Sequence, residues 1–366
     1  MNRTDILKIR RMMKRLQKIW RDWRNTSKKI YFFHRVSEYR EMWRNVAMDN
    51  GARFTVLSDD VWEYEHNGRK TRIVNHEMEF DNPVTLILAG RKPLMHRMLR
   101  EGGIPVPDHL VFHLTELEKA YAFLDAHQPY CVVKPGNGTH AGDGVTTHVM
   151  TRREVRKAAI LASLYCQELL IETQVPGECY RVLVIGGKVA HAVCRRGPRL
   201  RGDGRSTVRQ LILDENERRK HRGMRVLTVD RDCQFSLSWQ KLTLESIPPA
   251  DHDFIVKTVD DPQGKLTEIR TVYNENVTDL ICAPVRRHAE MAAKILGSDF
   301  VGVDIITPDP TVSLEVSGGS INEVNTTPAL HHHYDAKNEN YPKIALQTIA
   351  CLLSKAKVIE TDPSPR

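Results

Sequence analysis

Four strand-rich segments dominate the chain from residue 130 to residue 330, and two of the connections between them have a helical pattern. The strand-rich segments are "YCVVKPGNGTHAGDGVTTHVM", "QELLIETQVPGECYRVLVIGGKVAHAVCRR", "SDFVGVDIITPD" and "SINEVNTTPAL". The helical connections are "TRREVRKAAILASLY" and "CAPVRRHAEMAAKILG". Strands that alternate with helices in this way predict a fold of the α/β (α+β) class with a sizeable core.

The first hundred residues predict a smaller α/β lobe. A strand, "IYFFHRV", precedes a helix, "SEYREMWRNVAMDNG", which is followed by the strand "RFTVL" and a hairpin that turns at Asn67-Gly68. A further strand, "PVTLILAG", leads into a helix that ends at Gly102-Gly103. This order indicates that the lobe ends near residue 103.

The positive charge is concentrated at the N-terminus. Residues 1–30 contain 11 Lys or Arg against Asp5 and Asp22, a net charge of +9, whereas the whole chain carries +8. The remainder is therefore close to neutral, and we expect no nucleic-acid partner for the body of the protein.

The N-terminal segment, residues 1–27, predicts a basic amphipathic helix. Its apolar residues recur at intervals of three and four; they are Ile6, Ile9, Met13, Leu16, Trp20 and Trp23. This apolar seam favours packing on the body of the protein or on a second subunit, as a homodimer or another partner contact. An anionic membrane, an acidic partner or nucleic acid bound to the basic face are the alternatives.

Cysteine usage and hydropathy indicate a cytoplasmic protein. The seven cysteines form no C-x-x-C pair, which argues against a zinc ribbon or a disulfide scaffold. No apolar run of about 18 residues predicts a transmembrane segment, and the N-terminus lacks the features of a signal peptide. We assign no catalytic role to the cysteines.

A strand that ends at Lys134 leads into a glycine-rich loop. The loop contains Gly136, Gly138, Gly142 and Gly144. Glycines allow backbone amides to converge on phosphate oxygens, and the lysine adds a positive charge. The spacing matches neither a P-loop nor a Rossmann motif, and a hairpin that only turns the chain is the alternative.

The segment "LLIETQVPGECYRVLVIGGKV" predicts a strand, a short polar crossing and a second strand. The crossing from Glu172 to Val175 offers backbone groups to an adenine ring, and Glu178 is placed to accept hydrogen bonds from ribose hydroxyls. A surface hairpin with solvated acids is the alternative interpretation.

The segments "GVDIITPD" and "INEVNTTP" carry oxygen ligands. Glu323 and Asn325 are two positions apart, so they point to the same side of one strand. Together with Asp304 they supply the carboxylate and amide oxygens that suit Mg²⁺. In the alternative interpretation, Asp304 caps a strand end and Glu323 is solvated.

Taken together and in this order, these residues resemble the ATP-grasp superfamily. Within it the chain is similar to the ligase domain of cyanophycin synthetase, and more distantly to glutathione synthetases and ribosomal-protein glutamate ligases. The resemblance covers about residues 90–335. Its motifs, in family order, are "KPGNGTHAGDGV", "YRVLVIGGKVAHAVCRR", "GDGRSTVRQLI", "GVDII" and "NEVNTTPAL".

The resemblance implies an ATP-grasp fold preceded by the small α/β lobe and the basic N-terminal helix. The implied divisions are the helix at 1–27, the lobe at 28–103, an N-subdomain with a glycine-rich flap at 104–170 and a C-subdomain with the metal site at 171–358. A charged, irregular elaboration is expected at 214–270, and a disordered tail at 359–366.

The implied activity is that of an ATP-dependent ligase. A carboxylate, from an amino acid or peptide, takes a phosphoryl group from ATP, and an amine then displaces phosphate from the acyl-phosphate to form an amide. The implied cofactors are ATP and Mg²⁺, which Mn²⁺ can replace. The implied partners are small-molecule carboxylate and amine substrates.

The resemblance also implies roles for individual residues. The nucleotide-binding residues are Lys92, Lys134, Gly138, His140, Gly142, Gly144, Glu172, Thr173, Val175 and Glu178. The metal ligands are Asp304, Glu323 and Asn325. The cations beside the acyl-phosphate are Arg181, Arg195 and Arg270, and the substrate-binding residues are Asn274, His331 and His333.

The segment "HHHYD", residues 331–335, follows the second metal-ligand strand. Adjacent histidines diverge on an extended chain, so they do not share the face that a helical zinc motif requires. By the resemblance they line a substrate pocket; a transition-metal site and a plain surface position are the alternatives.

Departures from the family limit what it implies. Where cyanophycin enzymes carry an S-T-G-G stretch, this chain reads "RTVYNENVTDL", which keeps Arg270 and Asn274 and lacks the glycines. Their second ligase domain is not in this sequence, so we do not expect polymerisation. A phosphotransferase and a non-catalytic nucleotide-binding module remain as alternatives.

Overall fold

The computed structural model describes most of the chain. The described residues are 3–24, 27–137, 144–195, 197–221, 226–229, 231–257, 274–333 and 343–355. Within these ranges, no helix has both the length and the apolar character needed to cross a membrane. The tail for which we expect disorder lies outside the described residues.

Two helices open the chain, α1 (Arg3–Arg24) and α2 (Ser27–Asp49). The segment "IYFFHRV" lies inside α2, so its prediction as a strand is wrong. Helix α2 buries Tyr39, Trp43 and Val46, which recur at helical spacing. These residues form a buried apolar stripe over the described side chains of α2, and packing along it favours a helix over a strand.

The first sheet is antiparallel and its strands lie in chain order. They are β1 (Arg53–Val56), β2 (Val61–His66), β3 (Arg69–Val74) and β4 (Glu77–Met78). The predicted hairpin is confirmed, since β2 and β3 pair around Asn67 and Gly68, which have φ of 50° and 69°. Trp62, Tyr64 and Ile73 face α2 in a shared core.

Two short helices follow, α3 (Pro83–Gly90) and α4 (Lys92–Glu101). The prediction of a strand at "PVTLILAG" is therefore wrong, because α3 occupies these residues. The Asn82 side chain accepts hydrogen bonds from the amides of Val84 and Thr85, and Pro83 occupies the first turn. These are strong helix-start signals, and they outweigh the strand-like composition.

The second sheet has the strand order β5-β8-β6-β7 and is also antiparallel. Its strands are β5 (His109–His113), β6 (Cys131–Pro135), β7 (Thr146–Val149) and β8 (Glu168–Thr173). Helices α5 (Leu117–Ala126) and α6 (Arg152–Ala162) pack against it. The predicted division between residues 170 and 171 falls inside β8.

A small unit over residues 197–257 has its own core. It contains β11 (Arg199–Arg201), α7 (Val208–His221), α8 (Arg231–Trp239) and β12 (Asp253–Ile255). Val208, Ile212, Leu237 and Phe254 are buried together in it. The expectation of irregular structure is wrong for the described part of 214–270, because scattered apolar residues converge once the helices form. We call residues 197–257 the α7 unit.

The third sheet has the order β13-β10-β9-β14-β15 and is antiparallel in the described residues. Its strands are β9 (Glu178–Ile185), β10 (Lys188–Arg195), β13 (Asn274–Asn276), β14 (Phe300–Thr307) and β15 (Ser320–Thr326). The remaining α-helices of the described residues are α9 (Ala283–Leu296), α10 (Leu314–Ser317) and α11 (Lys343–Lys355). One face packs on α4 and α9. Part of the other face shares a core with α2, α11 and the first sheet.

Candidate functional site

A row of polar side chains crosses the third sheet on the face opposite α9. In the ladders, Arg181 of β9 lies opposite Asp304 of β14, which lies opposite Glu323 of β15. Directly opposed residues of an antiparallel ladder point to the same face. Asn325 is two positions beyond Glu323 and shares this face. The third sheet therefore brings the three predicted metal ligands together with Arg181.

Asp304 is held by Arg181 and Asn325. The buried carboxylate accepts hydrogen bonds from Arg181 Nε and from Arg181 Nη2, the latter at 2.7 Å. Asn325 Nδ2 donates to Asp304 Oδ2 at 3.3 Å. Burial by itself would raise the pKa of Asp304, but the charge and hydrogen bonds of Arg181, with Arg195 nearby, outweigh burial and lower it. Asp304 is therefore ionised at neutral pH.

Lys92 approaches the same row from helix α4. Its Nζ lies 3.0 Å from Glu323 Oε1, and the lysine is buried. Its backbone N–H donates to the carbonyl of Gly136 at 3.1 Å. This contact connects the start of α4 to the start of the glycine-rich loop.

Lys134 reaches the row from the second sheet. Its Nζ lies 2.7 Å from Glu172 Oε1 and 3.2 Å from Asn322 Oδ1. Lys134 and Glu172 are each 3% exposed. Glu172 Oε2 is buried and has no hydrogen-bond partner among the described residues. The site therefore contains a buried acceptor that the described chain leaves unsatisfied.

Two residues beside Lys92 and Lys134, Asn322 and His96, were not predicted from the sequence. His96 lies one turn after Lys92, and its Nε2 is 2.8 Å from the Asn322 carbonyl. Burial, with a contribution from the charge of Lys134, lowers the pKa of His96 to about 3. Strict alternation would turn Asn322 away from Glu323, but a register shift at this point of the β14–β15 ladder makes Asn322 a bulge residue.

Only the ends of the glycine-rich loop are described. Gly138, His140 and Gly142 lie outside the described residues, so the nucleotide-binding prediction for them stays a prediction. Gly144 has φ of 78°, and a Cβ there would lie 2.8 Å from Tyr165 Cδ2. Glycine is therefore required where the chain leaves the loop.

The predicted adenine crossing follows β8. The amide of Thr173 donates to Asp108 O at 2.9 Å and the amide of Gln174 donates to Tyr130 O at 3.1 Å. Within the described part of the chain, no backbone carbonyl accepts a hydrogen bond from the amide of Val175. Glu178, the predicted ribose ligand, forms an ion pair with Arg199 at the start of the α7 unit.

Arg195 is the last residue of β10 and is half-buried. It lies opposite Cys179 of β9 and Asn274 of β13, on the face that carries Arg181. No hydrogen bond or ion pair of Arg195 occurs within the described ranges. Arg270 lies outside them, so its predicted role is untested.

The histidines after β15 form a 3₁₀ helix, Leu330–His333. Tyr39 OH lies 2.6 Å from His331 Nδ1. His333 is fully buried, its Nδ1 is 3.1 Å from His191 Nδ1, and burial lowers its pKa well below the usual range. The predicted substrate contacts of His331 and His333 stay predictions. The described residues contain no cluster of three or more His, Cys, Asp or Glu suited to a metal ion.

The oxygen donors of Asp304, Glu323 and Asn325 fit Mg²⁺ in their chemistry, because Mg²⁺ is usually held by one or two carboxylates. The two carboxylates lie opposite each other on adjacent strands. Asn325 uses Nδ2 toward Asp304, which leaves its Oδ1 as the acceptor for a cation. In this structure Arg181 neutralises the carboxylate of Asp304 and Lys92 neutralises that of Glu323. A bound cation would share these two carboxylates with the two basic side chains.

The chain is similar to two groups of biosynthetic proteins. No family model matches it. It is similar to cyanophycin synthetase of a Nostoc species, with 32% identity over 266 residues, which are 70% of this chain and 28% of that protein. It is also similar to the glutathione biosynthesis bifunctional protein GshAB of Streptococcus mutans, with 26% identity over 342 residues, 87% of this chain and 43% of that protein.

The fold is also similar to that of a solved structure. The crystal structure of a bifunctional glutathione synthetase from Pasteurella multocida matches with a TM-score of 0.54 and 21% identity, over 83% of this chain and 43% of that one. The chain thus spans less than half the length of each of these relatives.

Proposed function

Because the chain belongs to the ATP-grasp superfamily of carboxylate–amine ligases, we propose that it uses ATP to join a carboxylate to an amine. One observation carries the proposal. Lys92 and Lys134, from different elements, contact adjacent residues of β15, Glu323 and Asn322. Two buried cations that meet between two sheets suit the phosphates of a nucleotide.

The surroundings of these lysines support an adenine nucleotide. The Val175 amide is the group of the crossing that lacks an acceptor in the described chain, and such an amide can donate to a ring nitrogen. The unsatisfied Glu172 Oε2 requires a donor, which an exocyclic amino group would supply. Glu178 remains the proposed ribose ligand and would exchange its contact with Arg199 for the sugar hydroxyls.

Asp304, Glu323 and Asn325 are the proposed Mg²⁺ ligands. The ion, when bound, neutralises charge on the phosphate oxygens of ATP. The chain's own contribution is to keep Asp304 ionised through Arg181 and to hold Glu323 in place through Lys92.

The first step of the proposed reaction forms an acyl-phosphate. An oxygen of the substrate carboxylate attacks the γ-phosphorus of ATP, and the bond from that phosphorus to ADP breaks. Lys92 and Lys134 offset negative charge on the phosphates, and burial strengthens this interaction because water is excluded.

The second step forms the amide. The amine nitrogen attacks the acyl carbon, a tetrahedral intermediate forms, and phosphate leaves as the nitrogen loses a proton. Arg195 is the guanidinium we assign to the acyl-phosphate, since no partner engages it in the described ranges. Arg181 is bound to Asp304, so we assign it to positioning that carboxylate.

For the substrates we infer a chemical class, and for the protein a cellular location. We infer an amino acid or peptide as the carboxylate, because guanidinium groups on this sheet face suit acidic substrates. We also infer a cytoplasmic location, since all seven cysteines are free thiols.

The test is an ADP-release assay with Mg-ATP and pools of carboxylates and amines. ADP release that requires both an acid and an amine supports the ligase. ADP release with one substrate and a stable phosphorylated product would indicate a phosphotransferase, and no release with any pool would indicate a binding module.

Variants of the proposed metal ligands test the site itself. Glu323→Ala and Asn325→Ala are each expected to lower kcat about a hundredfold to a thousandfold, because charge stabilisation at the phosphates is lost. Glu217→Ala, which removes an exposed carboxylate from α7, is the matched control and should retain full activity. Near-normal turnover of both site variants would contradict the assignment.

A further inference from the structure

Helix α1 contacts the body of the protein through one narrow side. Leu7 is buried with residues of α5 and α6. Arg11, one turn later, donates from Nε and Nη2 to the carbonyl of Ser163, at 3.2 and 2.9 Å. Residues four apart lie on the same side of a helix, so the side that carries Leu7 and Arg11 faces the body.

The opposite side of α1 is apolar and exposed. Its side chains are 37–59% exposed; they are Ile6, Ile9, Met12, Met13, Leu16, Ile19 and Trp20. At 3.6 residues per turn they cover an arc of about 140°, centred about 170° from the Leu7–Arg11 side. The amphipathic pattern of α1 is therefore directed outward, and its packing on the body does not bury the apolar side chains.

Positive charge borders this apolar arc on both edges. Lys8 and Arg15 lie along one edge, Arg10 and Lys14 lie beyond the other, and all four are exposed. Among the described side chains of α1, Asp5 is the one acid. If a second copy of α1 covered the arc, like charges would face each other along both edges, which is unfavourable. Charge complementarity instead favours a surface of negative charge.

We propose that α1 binds the surface of an anionic lipid bilayer. The apolar arc enters the boundary between headgroups and acyl chains, and the bordering lysines and arginines contact lipid phosphates. An outward apolar arc between basic edges on a helix of low mean hydropathy is the pattern of a helix that lies in the membrane interface. The body of the protein would then be held at the membrane surface through α6. The proposal does not depend on the proposed catalytic function.

The test is sedimentation of the full-length protein with lipid vesicles. We expect binding to vesicles of phosphatidylcholine mixed with phosphatidylglycerol and much weaker binding to phosphatidylcholine alone. Binding should weaken when the salt is raised from about 0.1 M to about 1 M, because the screening length falls from about 10 Å to about 3 Å.

Two double variants separate the apolar and electrostatic contributions. Met13→Glu/Leu16→Glu should abolish sedimentation, since it places carboxylates in the arc. Lys8→Gln/Arg15→Gln should weaken binding about 25-fold, at about fivefold for each cation removed. Val316→Glu and Arg205→Gln change exposed residues elsewhere and are the matched controls. Unchanged thermal midpoints would show that all variants are folded.

Three results would overturn the proposal. The first is no sedimentation of the wild-type protein with anionic vesicles. The second is undiminished binding of Met13→Glu/Leu16→Glu, which would show that the arc does not insert. The third is a wild-type dimer in light scattering that this variant dissociates, without vesicle binding, which would make the arc a subunit interface.

Discussion

The pair Lys134–Glu172 of the candidate site and the pair Arg209–Glu245 of the α7 unit each join a cation to a carboxylate, but in opposite environments. The side chains of Lys134 and Glu172 are each 4% exposed, whereas those of Arg209 and Glu245 are 52% and 69% exposed. An exposed pair contributes little to stability, while a buried pair must first lose its hydration. The α7 unit has an apolar core, and most of its ion pairs lie at the surface; Arg219, which is buried beside the half-buried Glu215, is an exception.

This difference indicates that a buried ion pair is better explained by function than by a contribution to stability. A buried ion pair is often no more stabilising than apolar residues of the same size. Two such pairs, Lys134–Glu172 and Arg181–Asp304, lie close to a third in which the buried Lys92 contacts the half-buried Glu323. Their concentration there is consistent with a site that must receive a charged ligand.

The largest expected effect comes from breaking the most buried pair. Lys134→Met should lower the free energy of unfolding by about 3–5 kcal/mol, because Glu172 is left charged and buried without a cation. Urea unfolding followed by circular dichroism measures this change.

The control is the double variant Lys134→Met/Glu172→Leu, which removes both charges. It should recover most of the lost stability and remain inactive, since the proposed nucleotide contacts are gone. A double variant no more stable than Lys134→Met would contradict the idea that an unpaired buried charge causes the loss.

The second prediction concerns the pH dependence of Arg181→Met. In the wild type the pKa of Asp304 is lowered from 3.8, so the pair stabilises the fold above pH 3.8 and this contribution is lost as the pH falls through the lowered pKa. In the variant the carboxylate stays buried without its guanidinium, and burial raises its pKa.

The stability difference between wild type and Arg181→Met should therefore be largest near neutral pH, at about 3 kcal/mol, and shrink as the pH falls and Asp304 is protonated. Urea unfolding midpoints across the acidic range measure it. A difference that stays constant with pH would argue that Arg181 acts through packing and not through charge.

The smallest effect is expected in the α7 unit. Arg209→Gln breaks an exposed pair with Glu245 and should change the free energy of unfolding by no more than about 1 kcal/mol. The change should vanish at about 1 M salt, where exposed charges are screened. If Arg209→Gln lowered the free energy of unfolding as much as Lys134→Met does, the buried and the exposed ion pairs would not differ in their contribution to stability.

Local patterns predicted the elements whose signals lie within a few residues. The helices at 152–162 and 283–296 and the hairpin around Asn67-Gly68 are confirmed. The strand predictions failed at α2 and α3, where a buried helical stripe and an Asn82 cap decided the conformation. The α7 unit was missed because its core forms only after separate segments converge.

For the candidate site, the alternation of side chains along a strand was sufficient to put Glu323 and Asn325 on one face. The alternation did not predict the position of Asn322, because a bulge interrupts the strand there. The basic side chains that contact these strands could not be predicted from local patterns either, since Arg181 and Asp304 are 123 positions apart and Lys134 and Asn322 are 188 apart.

The sequence by itself determined which chemical groups are present and their order: two lysines, a glycine-rich loop, three arginines and the oxygen donors of two strands. The tertiary structure decided which of them meet and how deeply they are buried. Burial sets the strength of each charge interaction and the pKa of each acid, because both depend on the water that the folded chain excludes. The pairing of Lys92, Lys134 and Arg181, each with one carboxylate, is therefore a property of the assembled sheets.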